Sequence, residues 1–378
     1  MNNILDHYPD TYDAGRARFK VLAKAAALDA GHAEMESFKV PSKTETDLTV
    51  DTLFIPATEN PHTLLLLTSG IHGAEGPTGS AIQSWFLTHL WPKLDRTKIG
   101  LAMVHSFNPF GFKTGRRATE NNVNLNRNFL ATKEDFLTPN EGYRRIHAAF
   151  ESDRPVSRSV FSVPKAGFML AKWLSVGGYT PQSLLQAIAQ GQYDFPKGIE
   201  YGGRWQEPQV EFFSKRIPKW AAKYKEVLHF DLHTGIGRKK RLHLIPGDNP
   251  WSRDLRMFKT YLDPVAEFDL YEYTPGDAPG FYKTHGDINS AMPALTKKPT
   301  LALTFEFGTL GDSLMSRVEA FERLYLENVG QNAGFADNGT RVEVRNRFRE
   351  MFNPSDPSWK ENALTLASQV LINVTSKL

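Results

Sequence analysis

No cysteine occurs among the 378 residues. Disulfides and thiolate ligands are thereby excluded, and a metal bound to this chain has to be held by His, Asp or Glu. Nowhere do about 18 apolar residues run together, as a membrane-crossing helix requires. The amino terminus, Met1-Asn2-Asn3-Ile4-Leu5-Asp6, lacks the charged start, apolar stretch and small-residue cleavage site of a secretory signal. A cytoplasmic protein without a membrane partner is the expectation. Surplus charge is lacking too: 45 basic and 42 acidic side chains leave a formal +3, which provides no field for nucleic acid. The basic run Arg238-Lys239-Lys240-Arg241 reads as a solvated loop or strand edge. No repeat, low-complexity segment or linker divides the chain, so residues 1–378 read as a single domain with ample core material.

Against these absences stands one conspicuous stretch. Leu64, Leu65, Leu66 and Leu67 are apolar at every position rather than at alternate ones, the pattern of a strand covered on both faces. The run ends in Gly70-Ile71-His72-Gly73-Ala74-Glu75-Gly76, and helical spacing resumes at Ala81, so His72 and Glu75 fall in the turn between a buried strand and a helix. Open α/β sheets place their ligand sites at such strand ends. An imidazole nitrogen and a carboxylate oxygen suit zinc, but a catalytic site wants a third protein ligand. His-x-x-Glu by itself arises readily by chance.

A helix over residues 10–30, capped by Asp10 and stopped by Gly31, precedes the leucines, followed by an edge strand pair over 35–40 and 48–55. After them come a helix reaching Trp91 and a second buried strand over 99–107, giving the strand, helix, strand order of a parallel unit. The loop that follows is crowded with asparagine and arginine. A hydrogen-bonded Asx-rich connection and an anion-binding surface account for it equally well. Residues 137–226 read as a mostly helical insertion. Val227 to Gly235 then forms another strand ending in a histidine and a glycine turn, which makes His233 the candidate third ligand, with Asp231 placed to orient a ligand and His229 as a weaker competitor. Late in the strand over 301–308, Glu306 shares a face with Ala302 and Thr304; burial there raises a carboxyl pKa, as suits a general base. Helices over 313–378 are expected to cover the sheet.

The ordered set His72, Glu75, Asn108-Pro109-x-Gly111, Arg117, Leu125-Asn126-Arg127-Asn128-Phe129, His233, Tyr282 and Thr304-Phe305-Glu306 resembles the zinc carboxypeptidase superfamily, in a distant branch. The likeness covers roughly residues 64–308 outside the insertion. It implies an α/β fold with a mixed, largely parallel twisted sheet and helices on both faces. It also implies one zinc ion on His72, Glu75 and His233, with Glu306 as general base. Arg117 matches the arginine that stabilises the oxyanion, Asn126 and Arg127 match the pair that grips a substrate carboxylate, and Tyr282 is similar to the mobile tyrosine that covers the substrate.

The departures are specific. Gly73-Ala74 stand where carboxypeptidases commonly carry an arginine, which resembles the His-Gly-x-Glu of succinylglutamate desuccinylase and aspartoacylase deacylases, and Asp231-Leu232-His233-Thr234 leans the same way. Asn124 replaces the usual aspartate before Leu-Asn-Arg. The insertion is longer than in either group and is placed to narrow or cap the cleft. The resemblance therefore implies a hydrolase of peptides or of N-acyl amino acids. Gly311-Asp312-Ser313-Leu314 spells a serine-esterase motif, but no histidine follows His285, and Ser313 reads as a helix cap. A fold kept only as a binding module remains the non-enzymatic alternative.

Overall fold

The computed structural model describes residues 4–158, 163–247, 253–262, 271–274, 278 and 281–378. Its strands are β1 (Glu34–Lys39), β2 (Thr49–Ile55), β3 (Thr63–Ser69), β4 (Ile99–His105), β5 (Glu226–Gly235), β6 (Leu242–Pro246), β7 (Glu272–Tyr273) and β8 (Thr300–Gly308). They join one eight-stranded sheet in the order β1-β2-β4-β3-β5-β8-β6-β7. The centre, β4-β3-β5-β8, is parallel, while β1, β2 and β6 attach antiparallel, so the sheet is mixed as expected.

The leucine strand explains its own composition. Leu65 and Leu67 enter one core, packed with Phe230, Phe305 and residues of the helices Tyr12–Ala30, Gly76–Trp85 and Pro357–Thr375. Leu64 and Leu66 enter the core on the other face, beneath the helices Pro208–Ala221 and Ile288–Thr296. All four side chains are at most 1% exposed, and burying one is worth roughly 2 kcal/mol.

Several boundaries differ from expectation. Thr11, not Asp10, caps the first helix by accepting from Ala14 N, because its backbone is extended there. The second helix is α-helical only to Trp85, then widens through Phe86–Leu90 and tightens at Trp91–Lys93. Two of the three tail helices do not cover the sheet. Leu314–Ala333 packs with the insertion through Val318, Phe321, Tyr143, Phe150 and Leu184, and Asn338–Phe352 packs behind the His72–Glu75 turn, where Phe348, Met351 and Phe352 meet Ala74. Ser313 caps the first of them, its Oγ accepting from Ser316 N. The basic run lies in the β5–β6 connection, with Arg238 and Arg241 paired to Glu272. Among the described residues no helix is long and apolar enough to cross a membrane.

Candidate metal centre

The chain turns sharply out of β3. Gly70 adopts φ +67, which an L side chain rarely takes. Gly73 lies so close to the Asn108–Arg117 segment that a Cβ would stand 2.0 Å from the Gly111 carbonyl carbon. Ala74 N donates to Arg116 O at 2.8 Å, which clamps the turn in place. His72 and Glu75 are thereby held at the end of the sheet, and β5, the parallel neighbour of β3, brings His233 beside them.

His72, Glu75 and His233 are all buried and offer ligand atoms within 4.8 Å of one another. Their hydrogen bonds settle which atoms face inward. Asn124 Nδ2 donates to the Glu200 carboxylate, and Asn124 Oδ1 accepts from Asn126 N at 2.9 Å. That oxygen also lies 3.0 Å from His72 Nε2, so the Nε2 must be the protonated nitrogen and its hydrogen points outward. His233 Nε2 likewise donates to Asp231 Oδ2 at 2.5 Å. The two Nδ1 atoms are left facing Glu75, at 2.9 Å from Oε1 and 3.1 Å from Oε2. The lone pair on His72 Nδ1 repels the carboxylate oxygen beside it unless a cation joins them, and at His233 Nδ1 a proton or a metal ion fills that role. A divalent metal fits this donor set, and the outward acceptors Asn124 and Asp231 are the partners that metal-binding histidines use to fix their orientation.

The titration behaviour agrees. Burial, reinforced by Arg117, lowers His72 to about 4, so it is a neutral ligand. Burial would lower His233 as well, but Asp231 and Glu75 on either side raise it well above 6.5. Burial would raise Glu75, and the two histidines instead hold it below the ordinary carboxylate range. One positive charge is called for among these three side chains.

Glu306 is the register partner of His233 on β8. Its Oε1 accepts from Ile236 N at 2.9 Å, and burial together with Glu75 raises its pKa to about 8. His229 is not part of the metal-capable group; its Nε2 lies 2.8 Å from Thr68 Oγ1, which also donates to Asp231 at 2.5 Å. The strand ends are tied from behind: Thr234 Oγ1 donates to Phe352 O, and Thr309 Oγ1 to Met351 O at 2.6 Å.

The side chains of the remaining expected residues are already engaged. Arg117 pairs with Glu200. Arg127, 1% exposed, donates to Ala189 O at 2.6 and 3.2 Å and to Asn126 O at 2.6 Å, with Glu200 3.5 Å away. Asn126 Oδ1 accepts from Ile288 N at 3.0 Å. Tyr282 presents its ring to Arg127 at 5.7 Å. Glu200 itself belongs to the insertion and was not singled out from the sequence. Burial would raise its pKa, yet Arg117 and Arg127 hold it below the ordinary value. No spacing motif marks it; the adjacent Gly202-Gly203 pair was the available signal of a close approach.

The chain resembles several solved carboxypeptidases in outline. Carboxypeptidase A from Helicoverpa armigera is 12% identical, with 90% of this chain and 73% of that one covered at a TM-score of 0.48. Bovine thrombin-activatable fibrinolysis inhibitor, solved with tick carboxypeptidase inhibitor, is 12% identical over 98% and 100% of the two chains at 0.49. A metallo-carboxypeptidase from Pseudomonas aeruginosa is 14% identical over 87% and 69% at 0.43. Likeness at this level decides nothing about chemistry. No curated protein matches the sequence. The family model described as "Protein of unknown function (DUF2817)" matches residues 8–366, nearly the whole length, and the chain belongs to that family.

Proposed function

We propose that this protein is a zinc-dependent hydrolase of amide bonds, a metallopeptidase of carboxypeptidase-like type. The observation that carries the reading is the convergence of His72 Nδ1, His233 Nδ1 and Glu75, with Glu306 beside His233 on the adjacent strand. A zinc ion held by those three side chains supplies Lewis-acid chemistry to the bond being cleaved. Glu306 takes a proton from the attacking water and delivers it to the leaving nitrogen. Arg117, half-buried on the same side, offers positive charge where the tetrahedral oxyanion develops, an effect worth about 3 kcal/mol for a well-placed donor. Asn126 and Arg127 shape the floor of the substrate site, and Tyr282 stands over Arg127 as its cover.

Peptides and N-acyl amino acids are the substrates this arrangement suits. The deacylase reading draws on the Asp231–His233 hydrogen bond, since the segment Asp231-Leu232-His233-Thr234 resembles that group. Amine release from peptides and from N-acyl amino acids, measured on zinc-loaded protein beside its Glu306→Gln variant, tests the proposal. Turnover that falls at least about a hundredfold in the variant is expected. Undiminished turnover in Glu306→Gln removes Glu306 as the base, and no turnover of either panel leaves only a binding module.

A further inference from the structure

Arg127, buried, and Arg117, half-buried, carry positive charge beside the candidate metal centre, and the chain supplies its own anion. Glu200 Oε1 pairs with Arg117, while Oε2 accepts from Asn124 Nδ2 and lies 3.5 Å from Arg127. Its side chain is only 7% exposed. Glu200 itself adopts φ +53, a left-handed conformation uncommon for a residue with a side chain, and its neighbours tie it in place. Glu200 O accepts from Gln192 N at 3.1 Å, Ile199 N donates to the Tyr143 hydroxyl at 3.0 Å, and Asn124 N donates to Tyr201 O at 2.7 Å. Glycines pack the segment down on both sides: a Cβ on Gly198 would stand 2.5 Å from the Tyr143 hydroxyl, and one on Gly202 would stand 2.1 Å from the Tyr193 ring.

We infer that Glu200 is a specificity-determining residue that makes this side of the cleft accept an uncharged amide and reject a free carboxylate. The inference rests on the hydrolase reading and deepens it by naming the substrate class. A carboxylate arriving here meets a fixed carboxylate, and the arginine it needs is already paired. An amide brings no second negative charge to the pair, and its N–H can donate to Glu200. A small cavity of about 30 Å³, room for little more than a water, lies against the pair and is lined by Arg117, Asn122, Asn124, Glu200, Glu327 and Phe348. The favoured substrate is therefore a peptide whose main chain runs on past the cleaved bond, or one whose terminus is blocked.

The test is binding, which separates this inference from the hydrolytic one. Zinc-loaded protein carrying Glu306→Gln, so that ligand is not consumed, is titrated calorimetrically with an N-acetylated dipeptide and with its C-terminal carboxamide. The carboxamide should bind at least about tenfold more tightly, and adding Glu200→Gln should shift the ratio toward the acid by a similar factor. Equal or tighter binding of the acid by the protein that retains Glu200 overturns the inference. So does a ratio unmoved by Glu200→Gln, or failure of both probes to bind. Should Glu200→Gln not fold, the ratio in the protein that retains Glu200 decides alone. Absence of turnover in the parent protein would overturn the hydrolase reading and leave this ratio standing.

Discussion

Burial holds the His105 imidazole at about 4, against an ordinary 6.5; its ring is wholly enclosed and stacked on Phe19 at 4.6 Å. Between those values the unfolded chain takes a proton that the native state refuses. Stability is therefore full above pH 6.5 and falls as pH drops toward 4, by about 3 kcal/mol in all. Denaturation midpoints followed across that window should fall less steeply in His105→Asn than in the parent, and equal slopes would clear His105 of responsibility. Asn124 acts on chemistry instead. Its oxygen keeps the proton of His72 on Nε2, so Asn124→Ala should weaken zinc binding about 10- to 100-fold in competition with a chromophoric chelator. An unchanged affinity would sink that role. His72, Glu75 and His233 were legible in the sequence because each follows a buried strand into a glycine turn. Glu200 was not, because its importance comes from three partners, Arg117, Asn124 and Arg127, that lie 73 to 83 residues away and share no pattern with it.

The Gly70–Gly76 turn depends on a backbone contact that tolerates no side chain. Gly73→Ala would place a methyl 2.0 Å from the Gly111 carbonyl carbon, so the clamp on Ala74 N has to open. A loss of roughly 3 kcal/mol in stability and a markedly weaker metal site are expected, read by thermal melting and zinc titration. A variant that melts and binds like the parent would show the contact to be dispensable. At this scale much could be read in advance. Four consecutive leucines announced a strand covered on both faces, and alternation placed Glu306 among small residues on β8. The tail helices were less legible, because an apolar stripe says that a helix is covered without saying by what. Leu314–Ala333 found the insertion, and Asn338–Phe352 found the metal turn.

Metal and fold should be linked across the whole molecule. Two of the three ligands follow β3 and the third lies on β5, more than 150 residues on, so an ion held by all of them favours the native state over the unfolded chain. At a free zinc concentration a hundredfold above Kd the gain is about 2.7 kcal/mol, and chelation should lower the melting temperature by a few degrees. A melting curve indifferent to both chelator and added zinc would refute the linkage. The ties from Thr234 to Phe352 and from Thr309 to Met351 carry this dependence further along the chain. A polypeptide made from its amino terminus has His72 and Glu75 in hand early, but His233, Glu306 and the two carbonyls that brace their strands emerge in that order, much later. A chain synthesised only as far as Leu232 can offer zinc only a pair of ligands. Secure binding of the ion therefore waits until His233 has been made, and the brace from Phe352 arrives later still.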